Sequence, residues 1–251
     1  MKNYNHVSSV LQKFLSDYLE KSGAENFVVG VSGGLDSAVV ATLCSLVKPK
    51  NTHALIMPSK FSNRANLDDA LRLCDKLDIK RKIIEIEPIL DSFKRAIGEE
   101  MSNLRNGNLA ARARMILLYD YCASVNGLVV GTSNKSELML GYSTIYGDLA
   151  YALNPIGGLF KSEIFEFAKF LGIDESIVSK APSADFYEGQ SDEADMGYGY
   201  DKIDRVLMQI EKKESKEKLL DKFDNCLVDM IFSRMSKNKF KLSMPPIAII
   251  N

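Results

Sequence analysis

Apolar positions recur with two different periods along this chain. Between residues 1 and 20, Val7, Val10, Leu11, Phe14, Leu15, Tyr18 and Leu19 fall at helical spacing among charges, which predicts an amphipathic helix. Residues 26–31 (N-F-V-V-G-V) are a short β-branched run and predict a strand. Residues 35–47 are apolar nearly all round and predict a buried helix. The alternation continues with strand 53–57, ended by Pro58, and helix 64–77, where Leu67, Ala70, Leu71, Cys74 and Leu77 share a face. Strand 82–86 follows, then helix 108–125 with Asn108 as N-cap and Gly127 just past its end, then strand 128–131. Strands alternating with helices require right-handed parallel crossovers. The predicted fold class is therefore α/β, a doubly wound, mostly parallel sheet with helices on both faces.

After Gly141 the pattern changes. Residues 141–148 and 182–199 are rich in Gly, Ser, Asp and Tyr and read as loops, expected to order over a bound ligand. Helices resume at 161–171 and from 200 to about 235, a C-terminal helical appendage. With no clear linker or repeat, residues 1–251 are read as one domain, with an α/β core over about 20–180 and a helical part over about 190–240.

Composition narrows the function classes. The chain is 46% hydrophobic and 26% charged, and 32 Lys plus Arg against 33 Asp plus Glu give a net charge of −1. That balance offers no broad basic surface for nucleic acid. No apolar run reaches the roughly 20 residues of a bilayer span, and the first helix lacks the continuous apolar centre of a signal peptide. The four cysteines (Cys44, Cys74, Cys122, Cys226) are scattered, none in a C-x-x-C, and the two histidines are His6 and His53, so neither a zinc site nor a disulfide framework is expected. Each cysteine lies in an apolar, helix-like stretch and is expected to pack as a reduced core residue, which places the protein in the cytoplasm.

The strongest chemical signal is Ser32-Gly33-Gly34-Leu35-Asp36-Ser37, set between the first predicted strand and a buried helix. In open α/β sheets ligands bind beyond the carboxyl ends of the strands, where this turn falls. Two glycines let an anion approach the backbone, the next helix N-terminus offers unpaired N–H groups, and the two serines add hydroxyls. Asp36 in a phosphate site makes sense with a divalent cation between carboxylate and phosphate. The turn lacks both the G-x-G-x-x-G pattern and a terminal Gly-Lys-Ser/Thr. It resembles the S-G-G-x-D-S loop of enzymes that split ATP between the α and β phosphates.

Further motifs follow in order: G-N-L-A-A-R-A-R-M at 107–115, G-L-V-V-G-T-S-N-K-S-E at 127–137, P-I-G-G-L-F-K at 155–161, P-S-A-D at 182–185 and Q-S-D-E at 190–193. Together with the turn, they make the chain, from about residue 13 to 245, similar to the bacterial ammonia-dependent NAD synthetases. The resemblance implies a Rossmann-like adenine-nucleotide hydrolase fold and a ligase. Such an enzyme adenylates the nicotinate carboxylate of deamido-NAD with ATP, then amidates it with ammonia. It also implies magnesium, a homodimer, and no glutaminase domain. Carried over by position, Gly30, Val31, Ser32, Gly33, Gly34, Leu35, Asp36 and Ser37 would cradle the ATP phosphates, with Thr132, Lys161 and Ser183 also at ATP. Asp36 and Glu137 would hold magnesium, and Arg112, Asp148 and Lys239 would meet deamido-NAD.

Some readings stay open on the residues alone. Glu137 stands three residues after Asn134, which is also capping-box spacing. Arg112 and Arg114 are about 200° apart on a helix, so one faces the site and the other solvent or a partner. Lys161 opens a helix, where a cation opposes the dipole unless an anion offsets it. Ile145 and Asn238 replace a lysine and a histidine common in the family. An enzyme adenylating a transfer-RNA base, or a non-catalytic nucleotide-binding regulator, are the alternative functions for the same loop.

Overall fold

The structure, a computed structural model, describes residues 2–183 and 189–250. Ala184 and Asp185 of the P-S-A-D stretch lie outside the described residues. The first half runs α1 (Tyr4–Ser22), β1 (Asn26–Gly30), α2 (Leu35–Val47), β2 (Thr52–Ile56), α3 (Arg64–Lys76), β3 (Lys80–Ile83), α4 (Glu87–Ile97), α5 (Asn103–Ser124) and β4 (Gly127–Val130). The second half is helical: α6 (Lys135–Leu140), α7 (Lys161–Phe170), α8 (Glu175–Val178), α9 (Asp192–Met196), α10 (Tyr200–Glu211), α11 (Lys216–Leu220) and α12 (Asn225–Asn238).

The four strands form one parallel sheet in the order β3-β2-β1-β4. The pleat sorts the core. Phe27, Val29 and Ala54 pack with α1, α2, α7 and α8 on one face, and Val28, Leu55 and Val129 pack with α4 and α5 on the other. Both faces are covered, which is why the strands read as continuous apolar runs. A third apolar cluster, built on Ile203, Leu207, Val228 and Ile231, joins α10 and α12 to Leu140 and Phe160 at the edge of the α/β core.

Several boundaries differ from the sequence reading. β3 covers 80–83 instead of 82–86, and all its residues are exposed. It is an edge strand whose charged side chains guard an open edge, so pairing with β2, not its isoleucines, sets its position. Helix α4 went unpredicted; Pro88 lies in its first turn and Gly98 stops it in a left-handed conformation. α5 starts at 103, capped by Ser102, not at 108. Asn108 lies inside the helix and accepts a hydrogen bond from Thr144 Oγ1 (2.8 Å). The helical segment read from 200 to about 235 is divided into three helices, α10, α11 and α12. Cys44, Cys74 and Cys122 are buried as expected, but Cys226 is exposed on α12. No helix among the described residues is long and apolar enough to cross a membrane.

At the strand ends away from the turn at 32–37, His53 is 5% exposed, with Nδ1 2.9 Å from the Tyr121 hydroxyl and Nε2 3.2 Å from Asn26 Oδ1. Burial, then the nearby Lys80, push its pKa below the ordinary histidine value. The unfolded chain therefore takes up this proton first, so the contribution is complete above the unfolded pKa of about 6.5 and declines as the pH falls below it. The Tm advantage of the wild type over His53→Asn should shrink between pH 7.5 and 5. A constant difference would contradict this account.

Candidate active site

A cleft of about 320 Å³ opens at the carboxyl ends of β1, β2 and β4, within the size range of small-molecule sites. Its floor is the turn after β1. Gly33 has φ +82°, and a Cβ there would lie 1.9 Å from the Asn66 carbonyl oxygen, so the turn packs directly on the first turn of α3. Ser32 N–H donates to Ser37 Oγ (3.2 Å), Ser37 Oγ donates to the Gly34 carbonyl (3.0 Å), and Gly34 N–H donates to Ser32 Oγ (3.1 Å). The N-cap Gly34 contributes no side chain. The start of α2 thus opens on the cleft with the orphan N–H groups and positive dipole end that suit an anion.

Asp36 stands in the first turn of α2, Glu137 in α6 and Lys161 at the start of α7, and the fold brings the three together. Lys161 Nζ pairs with Asp36 and lies 3.7 Å from Glu137 Oε1, while Asn134 Nδ2 donates to Asp36 Oδ1 (3.2 Å). Glu137 completes a capping box: Oε2 accepts from Asn134 N–H (3.2 Å), and its own N–H donates to Asn134 Oδ1 (3.0 Å). The cap therefore uses one carboxylate oxygen and leaves Oε1 toward Lys161. Burial, then the neighbouring Asp36, push the Glu137 carboxyl well up, and Lys161 only partly offsets this. Burial works against the Lys161 ammonium, but Asp36 and Glu137 outweigh it and raise its pKa.

The lysine at the start of α7 is offset by carboxylates. Asp204 on α10 accepts from Ser162 N–H (2.7 Å) and from Ser136 Oγ (2.5 Å), and Ser136 Oγ in turn accepts Lys161 N–H (2.9 Å). An anion thus caps the helix while Lys161 Nζ turns back to Asp36.

Thr132, Asp148 and Ser183 line the same cleft. Asp148 accepts from Thr144 N–H (2.5 Å); the residue is exposed on the cleft wall, yet the protein packed around its carboxyl desolvates it and pushes its pKa up to about 6. Arg112 lies elsewhere, exposed on α5 with Nε donating to the Ile145 carbonyl (3.3 Å). Arg114 is the arginine in the cleft wall, donating to the Met57 carbonyl (3.1 Å). Lys239 is exposed in a turn after α12, whereas Lys241 reaches back to the Gly141 (2.8 Å) and Ser143 (2.9 Å) carbonyls.

The sequence reading missed Arg114, Lys180 and Asp192 as cleft residues, together with Tyr200, which holds Asp192 in place. Asp192 is 4% exposed, accepts from the Tyr200 hydroxyl (3.0 Å), and has one carboxylate oxygen with no hydrogen-bond partner among the described residues. The Q-S-D-E stretch was the only signal for it; Tyr200 lies just beyond, as the first residue of α10.

Comparison with known proteins gives concordant results. The family model described as NAD synthase matches residues 7–245. A protein named NH(3)-dependent NAD(+) synthetase, from Campylobacter jejuni, is 51% identical over 98% of each chain. A solved NH3-dependent NAD synthetase of Campylobacter jejuni superposes with a TM-score of 0.87 at 46% identity, covering 99% of this chain and 100% of that one. A solved NMN synthetase of Francisella tularensis superposes with a TM-score of 0.91 at 33% identity over 100% of both chains.

Proposed function

The chain belongs to the NAD synthase family, and we propose that this cleft carries out the ATP-driven amidation of deamido-NAD with free ammonia. The observation that carries the reading is the convergence of the S-G-G-L-D-S turn, Thr132, Glu137, Asp148, Lys161 and Ser183 on one cleft. A nicotinate carboxylate oxygen attacks the α-phosphorus of ATP and pyrophosphate leaves, giving the acyl adenylate. Ammonia then attacks the acyl carbon, AMP leaves, and the nitrogen sheds a proton to give the amide. Phosphoryl transfer asks the protein chiefly for positioning and charge neutralisation.

Residues 30–37 supply backbone N–H groups to the phosphates, with Thr132, Lys161 and Ser183 around them. Asp36 and Glu137 fit magnesium. Both are hard oxygen donors, they stand close enough to disfavour each other's charge, and Glu137 Oε1 remains outside its cap. Magnesium is commonly held by one or two carboxylates together with substrate phosphates, the donor set that Asp36, Glu137 and ATP would supply. Bound there, magnesium would neutralise charge on the transferring and departing phosphates. Asp148, by its place in the cleft wall, and Lys239 are assigned to the deamido-NAD end.

Exposed Ile116 and Tyr119 on α5, on the face that carries Arg112, and exposed Phe14 and Tyr18 on α1 support a homodimer. A second copy on that face would also bring Arg112 beside a partner. Sedimentation should show a dimer that Ile116→Glu shifts toward monomer; a wild-type monomer at micromolar concentration would exclude it. The free thiols suit a reducing, cytoplasmic setting.

Free ammonia as nitrogen donor is tested directly. Extracting ammonia from glutamine requires an activated nucleophile beside a base. Burial pushes the Cys74 and Cys122 thiols up to about 11 and Cys44 further, while His53 is engaged by Tyr121 and Asn26. Purified protein with ATP, magnesium and deamido-NAD should form amide with ammonium, at a rate rising with pH through neutrality as more NH3 forms. Equal turnover with ammonia-free glutamine would refute this. The likeness to an NMN synthetase supports a second reading, nicotinate mononucleotide as acceptor. The ratio of kcat/KM for the two acceptors decides between them, and the 51% relative favours the dinucleotide.

A further inference from the structure

Lys180 stands three positions before Ser183, and three parts of the fold meet at its ammonium group. Nζ donates to Asn66 Oδ1 (2.6 Å) and to the Gly33 carbonyl (3.4 Å), and it pairs with Asp69. Asp69 is 2% exposed and also receives Ser176 Oγ (2.8 Å) and Arg72. Burial works against the Asp69 charge, but hydrogen bonds from Lys180 and Ser176 outweigh it and hold its pKa below the usual value.

The peptide joining Gly33 and Gly34 is trans, so its C=O and N–H point in opposite directions. With the carbonyl held toward Lys180, the Gly34 N–H points to Ser32 Oγ and the start of α2. Lys180 also lines the cleft. Its charge is therefore spent on the back of the phosphate turn, beside the chain that leads to Ser183.

We infer that Lys180 is a positioning residue for ATP. By gathering the Gly33 carbonyl, Asn66 and Asp69 on one cation, it fixes the N–H face of the turn and ties the Ser183 segment to it. The inference rests on the reading of the cleft as an ATP site.

The test is direct titration of ATP with magnesium, alongside steady-state kinetics and thermal melts. Lys180→Met should weaken ATP at least about tenfold, the scale of losing charge-assisted hydrogen bonds. Its KM for ATP should rise while KM for deamido-NAD stays within about twofold, a split that general loosening would not give. Because Lys180→Met leaves the buried Asp69 with only Ser176 and the more exposed Arg72 as partners, the double variant with Asp69→Asn is also needed. It should regain thermal stability without regaining ATP affinity, whereas Lys180→Arg should recover part of that affinity. Recovery of ATP affinity in the double variant, or wild-type affinity in Lys180→Met, would reduce Lys180 to neutralising Asp69 and overturn the inference. Wild-type protein that binds no ATP would overturn the functional reading and this inference with it.

Discussion

Asp36→Asn should lower deamido-NAD-dependent pyrophosphate release by at least about 10²-fold, the scale of losing a key electrostatic stabiliser, with the fold intact. The substitution keeps the size of the side chain and removes the charge in the first turn of α2 that the proposed reaction sets toward the phosphates. Breaking a buried ion pair usually destabilises by about 3–5 kcal/mol, because the remaining charge is stranded. Here Lys161 keeps Glu137 Oε1 at 3.7 Å, so its ammonium is still compensated. The expected signature is therefore lost chemistry with a melting curve close to wild type. Near-normal pyrophosphate release from a folded Asp36→Asn protein would remove Asp36 from the site.

Gly33→Ala has the second largest expected effect, and it works through the backbone. At φ +82° an L-residue is strained, by about 1–2 kcal/mol for left-handed helical geometry. The new Cβ would also start 1.9 Å from the Asn66 carbonyl oxygen. That neighbour is main chain in α3 and has no rotamer to move into, so the turn must shift away from α3. A displacement of order 1 Å in a positioning element costs about 10²-fold in rate. ATP affinity measured by calorimetry should fall with it, while circular dichroism still shows a folded protein. Gly158→Ala is the control, since a Cβ there meets nothing within 4 Å. Unchanged ATP affinity in Gly33→Ala would show that the turn does not carry the phosphates.

The two glycines, the serines and Asp36 stood out in the sequence as a candidate phosphate site because their chemistry is local. A strand, a turn that needs glycine and a buried helix lie within 22 consecutive residues, 26–47, and each constrains the next. The same locality made α2 readable to the residue, from Leu35 to Val47. Strand β3 was placed two residues late because its position depends on pairing with β2 across an intervening helix. Helix α4 was missed, although Pro88 and Gly98 bracket it, and α5 was begun too late at Asn108, which lies inside the helix.

The sequence by itself determined the alternation of strands and helices, the doubly wound class and the turn at the carboxyl end of β1. These follow from periodicity and backbone preference, which act over a few residues. Only the tertiary structure decided which side chains share the cleft. It set Arg114 in the wall and Arg112 on the outer face of α5, and it gave Lys241, not Lys239, the carbonyls of the 141–143 turn. It also joined Asp36 to Lys161 across 125 positions and Gly33 to Lys180 across 147. The direction of a side chain is fixed by the element it sits on. Its partner is fixed by how distant elements pack, and no local pattern in the chain records that.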